Sequence, residues 1–393
     1  MKKLSAKQFR YAIADIAAAL QQQIEADCEG FPSDPKASAK RREQALADFI
    51  FFRRTYFPHY CTIPGDSTLH TWLDAALPRM AEAREGQHIA LAAPRGEAKS
   101  TFISLFFVLW CVLTGRKRYI LIIADALEQA AILLEAVKAE LDGNPRLAMD
   151  FPAETGRGRV WNVGTILTAQ NVKLQALGAG KRMRGLRHGP YRPDLVILDD
   201  LENDENVAKP EQRDKLQDWL QKTVLNLGAA DGSMDVVYVG TILHYDSVLA
   251  RTLDKPTWQS KRFRSIVQWP ERLDLWDKWE AILHADGPVA ARAFYDLYQD
   301  DMERGAVVSW TAGRPLYQLI RRGPGDPQHL TGLLYSRTIR CPGTTRRLPR
   351  ASRSGSTVPA TGCCSGPLTR LSASSARAVT HPRSSSAGYS ATP

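Results

Sequence analysis

The segment Ala92-Ala93-Pro94-Arg95-Gly96-Glu97-Ala98-Lys99-Ser100-Thr101 constrains this chain more than any other. It follows an apolar run with strand character, His88-Ile89-Ala90-Leu91, and precedes Phe102-Ile103-Ser104-Leu105-Phe106-Phe107-Val108-Leu109-Trp110, which has helix character. Strand, tight loop, Lys-Ser/Thr and helix is the layout of a phosphate-binding P-loop. In such a loop the backbone N–H groups and the helix N-terminus face the phosphates, lysine adds a point charge, and the hydroxyl after it holds Mg2+. The usual pattern is G-x-x-x-x-G-K-[ST], and here Ala93 and Ala98 stand at the two glycine positions. On this segment alone, an ordinary strand-turn-helix with an exposed lysine is an equally valid reading.

A second element narrows the choice. Asp194-Leu195-Val196-Ile197-Leu198-Asp199-Asp200-Leu201-Glu202 places four apolar residues in a row before a cluster of acids. Such a run suits a central parallel strand buried on both faces, and its C-terminal end is where open α/β sheets bind ligands. This is a Walker B pattern: Asp199 is expected to hold Mg2+, and a neighbouring carboxylate to orient an attacking water. A buried strand ending in a solvated acidic turn is the plain alternative. A P-loop pattern about a hundred residues upstream weighs against it.

Between and beyond these two segments, strand and helix signals alternate. Tyr119-Ile120-Leu121-Ile122-Ile123 reads as a buried strand, Leu127 to Leu141 as an amphipathic helix, Gln212 to Leu225 as a helix, and Val236-Val237-Tyr238-Val239-Gly240-Thr241 as another strand with a polar end. Alternation of this kind predicts an α/β domain with a largely parallel sheet flanked by helices. We place it at residues 61–255. Residues 1–60 form a helical lead-in, with helical spacing over Phe9 to Ile24 and again over Arg41 to Phe52. Ser67-Thr68-Leu69-His70 reads as a capped helix start. Residues 256–321, with Trp258, Trp269, Trp276, Trp279 and Tyr295, form a packed closing or linker segment.

The net charge of +10 suggests a nucleic-acid binder until its distribution is considered. Residues 322–393 contain ten arginines, no lysine and one acid, Asp326; removing them from the totals of 52 and 42 leaves 42 basic and 41 acidic residues. The basic balance therefore belongs to the tail. The six cysteines, Cys28, Cys61, Cys111, Cys341, Cys363 and Cys364, show no metal or disulfide spacing. The N-terminus lacks an apolar signal core, and the longest apolar stretch, Phe102 to Leu113, is too short to cross a bilayer. A soluble, cytoplasmic body without a membrane is expected.

Taken together, these motifs resemble the ATPase domain of phage terminase large subunits, the DNA-packaging motors, over roughly residues 65–320. The carrying segments are 93–101, Ile123-Ala124-Asp125 with Gln129-Ala130, Arg184-Gly185-Leu186-Arg187 leading into Arg192 and the 193–200 strand, and Gly240-Thr241. The resemblance implies an ASCE-type P-loop NTPase with ATP and Mg2+ as cofactors. It implies that Pro94, Arg95, Gly96, Lys99, Ser100 and Thr101 surround the phosphates, that Ser100 and Asp199 hold Mg2+, and that Asp200, or failing it Glu202, is the catalytic carboxylate. Arg95 would be an arginine finger in cis or a surface ion-pair partner, and Thr241 would sense the γ-phosphate or merely cap its strand. Implied partners are double-stranded DNA, the terminase small subunit and the portal of the procapsid, with a homo-oligomer as the active form in the bacterial cytoplasm. Gly178-Ala179-Gly180-Lys181 looks phosphate-friendly but lacks a following Ser/Thr, and reads as a turn. Arg182, Arg184 and Arg187 after it suit DNA phosphates, a neighbouring subunit's nucleotide or a solvated basic loop.

The chain departs from the family after Arg321. Terminases continue into a nuclease built on clustered carboxylates, which a tail with Asp326 as its sole acid cannot supply. A tail so rich in Ser, Thr, Pro, Gly and Arg is expected to be disordered, and its abrupt composition suggests a frameshift. With chosen synonymous codons, residues 326–331 and 336–340 read two bases later give Pro-Ala-Ala-Phe-Asp and Gln-Asn-Asp-Pro, both similar to the segment that joins the two terminase domains. A natural basic tail that binds DNA phosphates is the alternative, and the gene sequence around codon 322 decides between them. The rival functions are another ATP-dependent translocase or helicase, an inactive prophage remnant, and a small-molecule kinase. Helicase motifs and a substrate lid are not evident in the sequence.

Overall fold

The computed structural model describes residues 6–321. The expected disordered or out-of-frame tail, with Asp326 and three of the cysteines, lies outside the described residues.

Uninterrupted apolar runs become the interior of one sheet. The strands are β1 (His88–Ala92), β2 (Tyr119–Ala124), β3 (Val160–Asn162), β4 (Thr165–Leu167), β5 (Lys173–Gly178), β6 (Leu195–Asp199), β7 (Asp235–Gly240) and β8 (Gln259–Arg262). They form an eight-stranded sheet in the order β3-β4-β5-β2-β6-β7-β1-β8. From β5 to β8 every pairing is parallel, while at the other edge β3 pairs with β4 and β4 with β5 in antiparallel fashion. Every residue of β2, β6 and β7 is buried, as strands covered on both faces require. One face packs against residues 102–113 and the helices Phe49–Tyr56 and Thr68–Glu82, the other against the helices Pro210–Lys222 and Val248–Leu253. The architecture is thus α/β, with a mostly parallel sheet flanked by helices.

Charged groups pin the strand starts. Asp194 accepts the Arg118 and Tyr119 N–H groups at 2.6 and 2.9 Å, and buried Asp235 pairs with Lys117 at 2.7 Å and accepts the Gln87 N–H at 2.7 Å. These contacts fix register at the edge opposite the loop that follows β1.

The lead-in differs from the sequence expectation in one respect. The helical pattern over Arg41 to Phe52 is split between Pro35–Ala47 and Phe49–Tyr56. Asp48 sits extended between them, and its carboxylate accepts the Ile50 and Phe51 N–H groups, so a capping residue ends one helix and starts the next. The expected Ser67 cap is present, with His70 returning the bond of a capping box. The first helix, Ala6–Asp27, packs on Leu127–Gly143 through Ile24, Cys28 and Ala139.

Residues 256–321 add β8 to the sheet, then a small antiparallel pair, β9 (Ile266–Gln268) and β10 (Val307–Val308). The helical stretch Leu273–Glu303, kinked at Gly287-Pro288, builds a separate core with Leu316 and Tyr317 around Trp276, Trp279 and Tyr295. Among the described residues, no helix is long and apolar enough to cross a membrane.

Candidate functional site

β1 delivers the chain to the C-terminal edge of the sheet, where Ala93 N–H bonds Gly240 O at 3.1 Å. The loop then turns through two left-handed residues, Gly96 (φ +81°) and Ala98 (φ +53°). Helical backbone begins at Lys99 and continues to Leu113, with π-type turns over Thr101–Phe107. The alanine at the second glycine position of the loop pattern therefore keeps the conformation that a glycine would supply.

Lys99 is 6% exposed, and its ammonium points back into the loop. It donates to Thr241 Oγ1 at 3.1 Å and lies 3.4 Å from the carbonyl oxygens of Ala93 and Pro94. Ser100 Oγ donates to Asp199 Oδ1 at 3.1 Å, and Ser104 Oγ donates to Asp199 Oδ2 at 2.7 Å. Thr241 stands at the end of β7, between β1 and β6. Its hydroxyl bonds Ala93 O at 3.3 Å and its N–H donates to Asp200 Oδ1 at 3.1 Å. Lys99, Ser100, Asp199, Asp200 and Thr241 are thereby brought together, from one loop and two strand ends.

Burial pushes the Asp199 carboxyl up to about 6, and the adjacent Asp200 charge adds to this against the hydrogen bonds of Ser104 and Ser100 and the Lys99 charge. Such a carboxylate gains strongly from a cation brought to it.

The other expected residues are placed differently. Glu202 accepts the N–H groups of Val248 and Leu249 at 2.7 and 2.9 Å and the Tyr238 hydroxyl at 3.2 Å, so both its oxygens anchor the first turn of the Val248–Leu253 helix. Pro94 is partly exposed and gives its carbonyl to Lys99; Thr101 is partly exposed and opens the π-turns. Arg95 is exposed, and its carbonyl accepts from Arg314 Nη1 at 2.6 Å. In the glycine-rich decoy, a Cβ on Gly178 would lie 2.8 Å from the Leu127 backbone nitrogen, so that glycine serves close packing of helix on strand. Lys181, Arg182, Arg184 and Arg187 are exposed.

Sequence reasoning missed three residues that shape the site. Ser104 is the single polar residue in the run Phe102 to Trp110, a signal that was visible. Glu97 is 1% exposed inside the loop, and burial pushes its carboxyl up against the pull of Arg314. Arg314 lies more than two hundred residues away, and no local pattern marks it. Compared with known proteins, the chain matches no family model and no curated sequence.

Proposed function

We propose that this chain is a P-loop ATPase of the terminase large-subunit type, binding Mg·ATP between the 93–101 loop and Asp199. The observation that carries the reading is the meeting of Lys99 with Thr241 and of Ser100 with Asp199, each at 3.1 Å, on the ligand-binding edge of a parallel sheet. An exposed lysine on an ordinary turn would not be 6% exposed and bonded to the end of a non-adjacent segment.

In this reading the loop N–H groups and Lys99 hold the β- and γ-phosphates. Ser100 and Asp199 would hold Mg2+ arriving with the nucleotide. Among the described residues no group of three His, Cys, Asp or Glu side chains is placed to hold a metal. One hydroxyl and one carboxylate suit a hard cation that keeps phosphate and water ligands. When bound, Mg2+ neutralises charge on the phosphate oxygens. Asp200, exposed and oriented by the Thr241 N–H, is the carboxylate that aligns the attacking water, because the oxygens of Glu202 are committed elsewhere. Thr241 contacts Lys99 and Asp200 together and is the group best placed to sense the γ-phosphate. Arg95 supplies positive charge at the loop tip.

The work done by such a site in the intact family is packaging of double-stranded DNA into procapsids, by a homo-oligomer that meets the small subunit and portal in the bacterial cytoplasm. The test is ATP hydrolysis by the full chain, with and without DNA, beside Lys99→Ala. The variant is expected to lose turnover by a factor of about a hundred or more. A Lys99→Ala protein as fast as its parent refutes the assignment.

A further inference from the structure

The closing segment reaches the candidate phosphate loop through Arg314. This arginine is 8% exposed and sits in a turn closed by its own N–H to Trp310 O at 2.8 Å. Its Nη1 donates to Arg95 O at 2.6 Å and to Ser265 Oγ at 3.1 Å, and lies 3.5 Å from Glu97 Oε1. Ser265 Oγ also donates to Glu97 Oε1 at 3.3 Å.

The loop is held from a third side. His70 Nδ1 accepts the Ser67 N–H at 3.1 Å, which leaves Nε2 as the donor to Glu97 O at 3.0 Å, and the ring stacks on Phe102 at 4.2 Å. The turn carrying Arg314 is itself anchored to these walls. Ser309 bonds the Thr68 hydroxyl at 2.8 Å and the Ser265 carbonyl at 2.8 Å, and Trp310 meets the His70 ring edge-on at 4.9 Å.

A buried carboxylate two residues before Lys99 is an obstacle for a loop that receives a triphosphate. Its charge opposes the incoming anion, and its burial is costly unless a cation faces it. We infer that Arg314 is the positioning residue of this loop: it fixes the Arg95 carbonyl and neutralises Glu97, so that residues 93–99 keep an anion-facing shape. Residues 256–321 thereby act on the site as a brace rather than as a linker. Its part in nucleotide binding rests on the function proposed above; its part in loop geometry does not.

The experiment uses the full chain and three variants: Arg314→Ala, Arg314→Lys, and Arg314→Met combined with Glu97→Gln. The paired change removes both charges, so a folded protein is available even where Arg314→Ala alone strands a buried carboxylate and unfolds. Hydrogen exchange of the 93–101 amides, affinity for a fluorescent ATP analogue, and ATP turnover are measured. Loop exchange is expected to rise about tenfold in Arg314→Ala and in the paired variant, with β2 and β6 unchanged, and the analogue to bind about tenfold more weakly. Lysine should recover part of this, since it carries the charge without the fork. Loop exchange and affinity in the paired variant within about twofold of wild type overturn the inference. A loop that loosens in a protein whose wild type binds no nucleotide upholds the brace and refutes the nucleotide reading.

Discussion

Ala98→Gly is expected to stabilise this protein, against the usual cost of introducing glycine. Ala98 holds φ at +53°, in the left-handed region. An L-residue there is disfavoured by about 1–2 kcal/mol. Glycine relieves that strain but adds about 0.5–1 kcal/mol of unfolded-state freedom. The side chain is only partly buried, so loss of its methyl costs about 0.3 kcal/mol of the ~0.8 assigned to a fully buried one. The balance is a gain of about 0.5 kcal/mol. Two residues earlier the sign reverses. Gly96 has φ +81°, and the nearest atoms to an added Cβ are those of the Arg314 guanidinium, 3.8–3.9 Å away, an ordinary contact. Gly96→Ala therefore meets no steric barrier and pays only the backbone strain, a net loss of about 0.5–1 kcal/mol. Urea unfolding followed by tryptophan fluorescence reads both, provided the slope with denaturant is unchanged. If Ala98→Gly loses about 1 kcal/mol, as an ordinary Ala→Gly change does, the loop backbone at Ala98 is not left-handed and the geometry argued for the site is wrong.

The remaining expectations concern charges. Glu202→Ala should cost about 2 kcal/mol by leaving the Val248 and Leu249 N–H groups without their acceptors, and should leave the proposed ATP turnover of folded molecules unchanged; Asp200→Ala should do the reverse, and exchanged outcomes in unfolding and turnover assays would swap the roles. For His59, burial works against the charged form, but neighbouring Cys28 and Glu140, the latter at 2.8 Å, raise the group from 6.5 to about 9. A raised folded value means that its stabilisation is fully present below pH 6.5 and is lost as pH rises through about 9. His59→Gln should flatten that slope in urea midpoints taken across this window; an unchanged slope excludes His59 as its source. Lys117→Met strands Asp235, which is 1% exposed, and should cost about 3 kcal/mol; adding Asp235→Asn should recover most of it, and a lack of recovery in unfolding experiments would show that the pair is not the cause.

What was legible in the sequence was local. β1, β2, β6 and β7 announced themselves as unbroken apolar runs, because a parallel strand covered on both faces has no polar side to show. The turn after β1 and the acids after β6 could be located in the sequence because each is marked by residues within a few positions of it. The helix break at Asp48 had its signal too, an acid directly before an apolar run, but helical spacing continued through it. Glu202 was different in kind. Whether an acid near the end of β6 faces a ligand or caps a helix depends on where residues 248–253 dock, and no periodicity records that. Arg314 is the extreme case, since its partners at 95 and 97 are set wholly by the packing of residues 256–321 on the body.

The same contacts explain how a loop with alanine in both glycine positions keeps its shape. A glycine at 98 would reach φ +53° without strain; Ala98 reaches it at a cost of about 1–2 kcal/mol. Something outside the loop must therefore select that backbone over a relaxed one. The bonds from Arg314 to Arg95 O and from His70 to Glu97 O both lie on the N-terminal side of the strained residue and hold the chain that leads into it. A hydrogen bond from the charged Arg314 contributes about 1.5–3 kcal/mol and one from the neutral His70 ring about 0.5–1.5 kcal/mol, together enough to offset the strain. Loop shape in this protein is then a property of its walls more than of its own residues. For that reason Ala98 can hold a left-handed backbone without a glycine in its place.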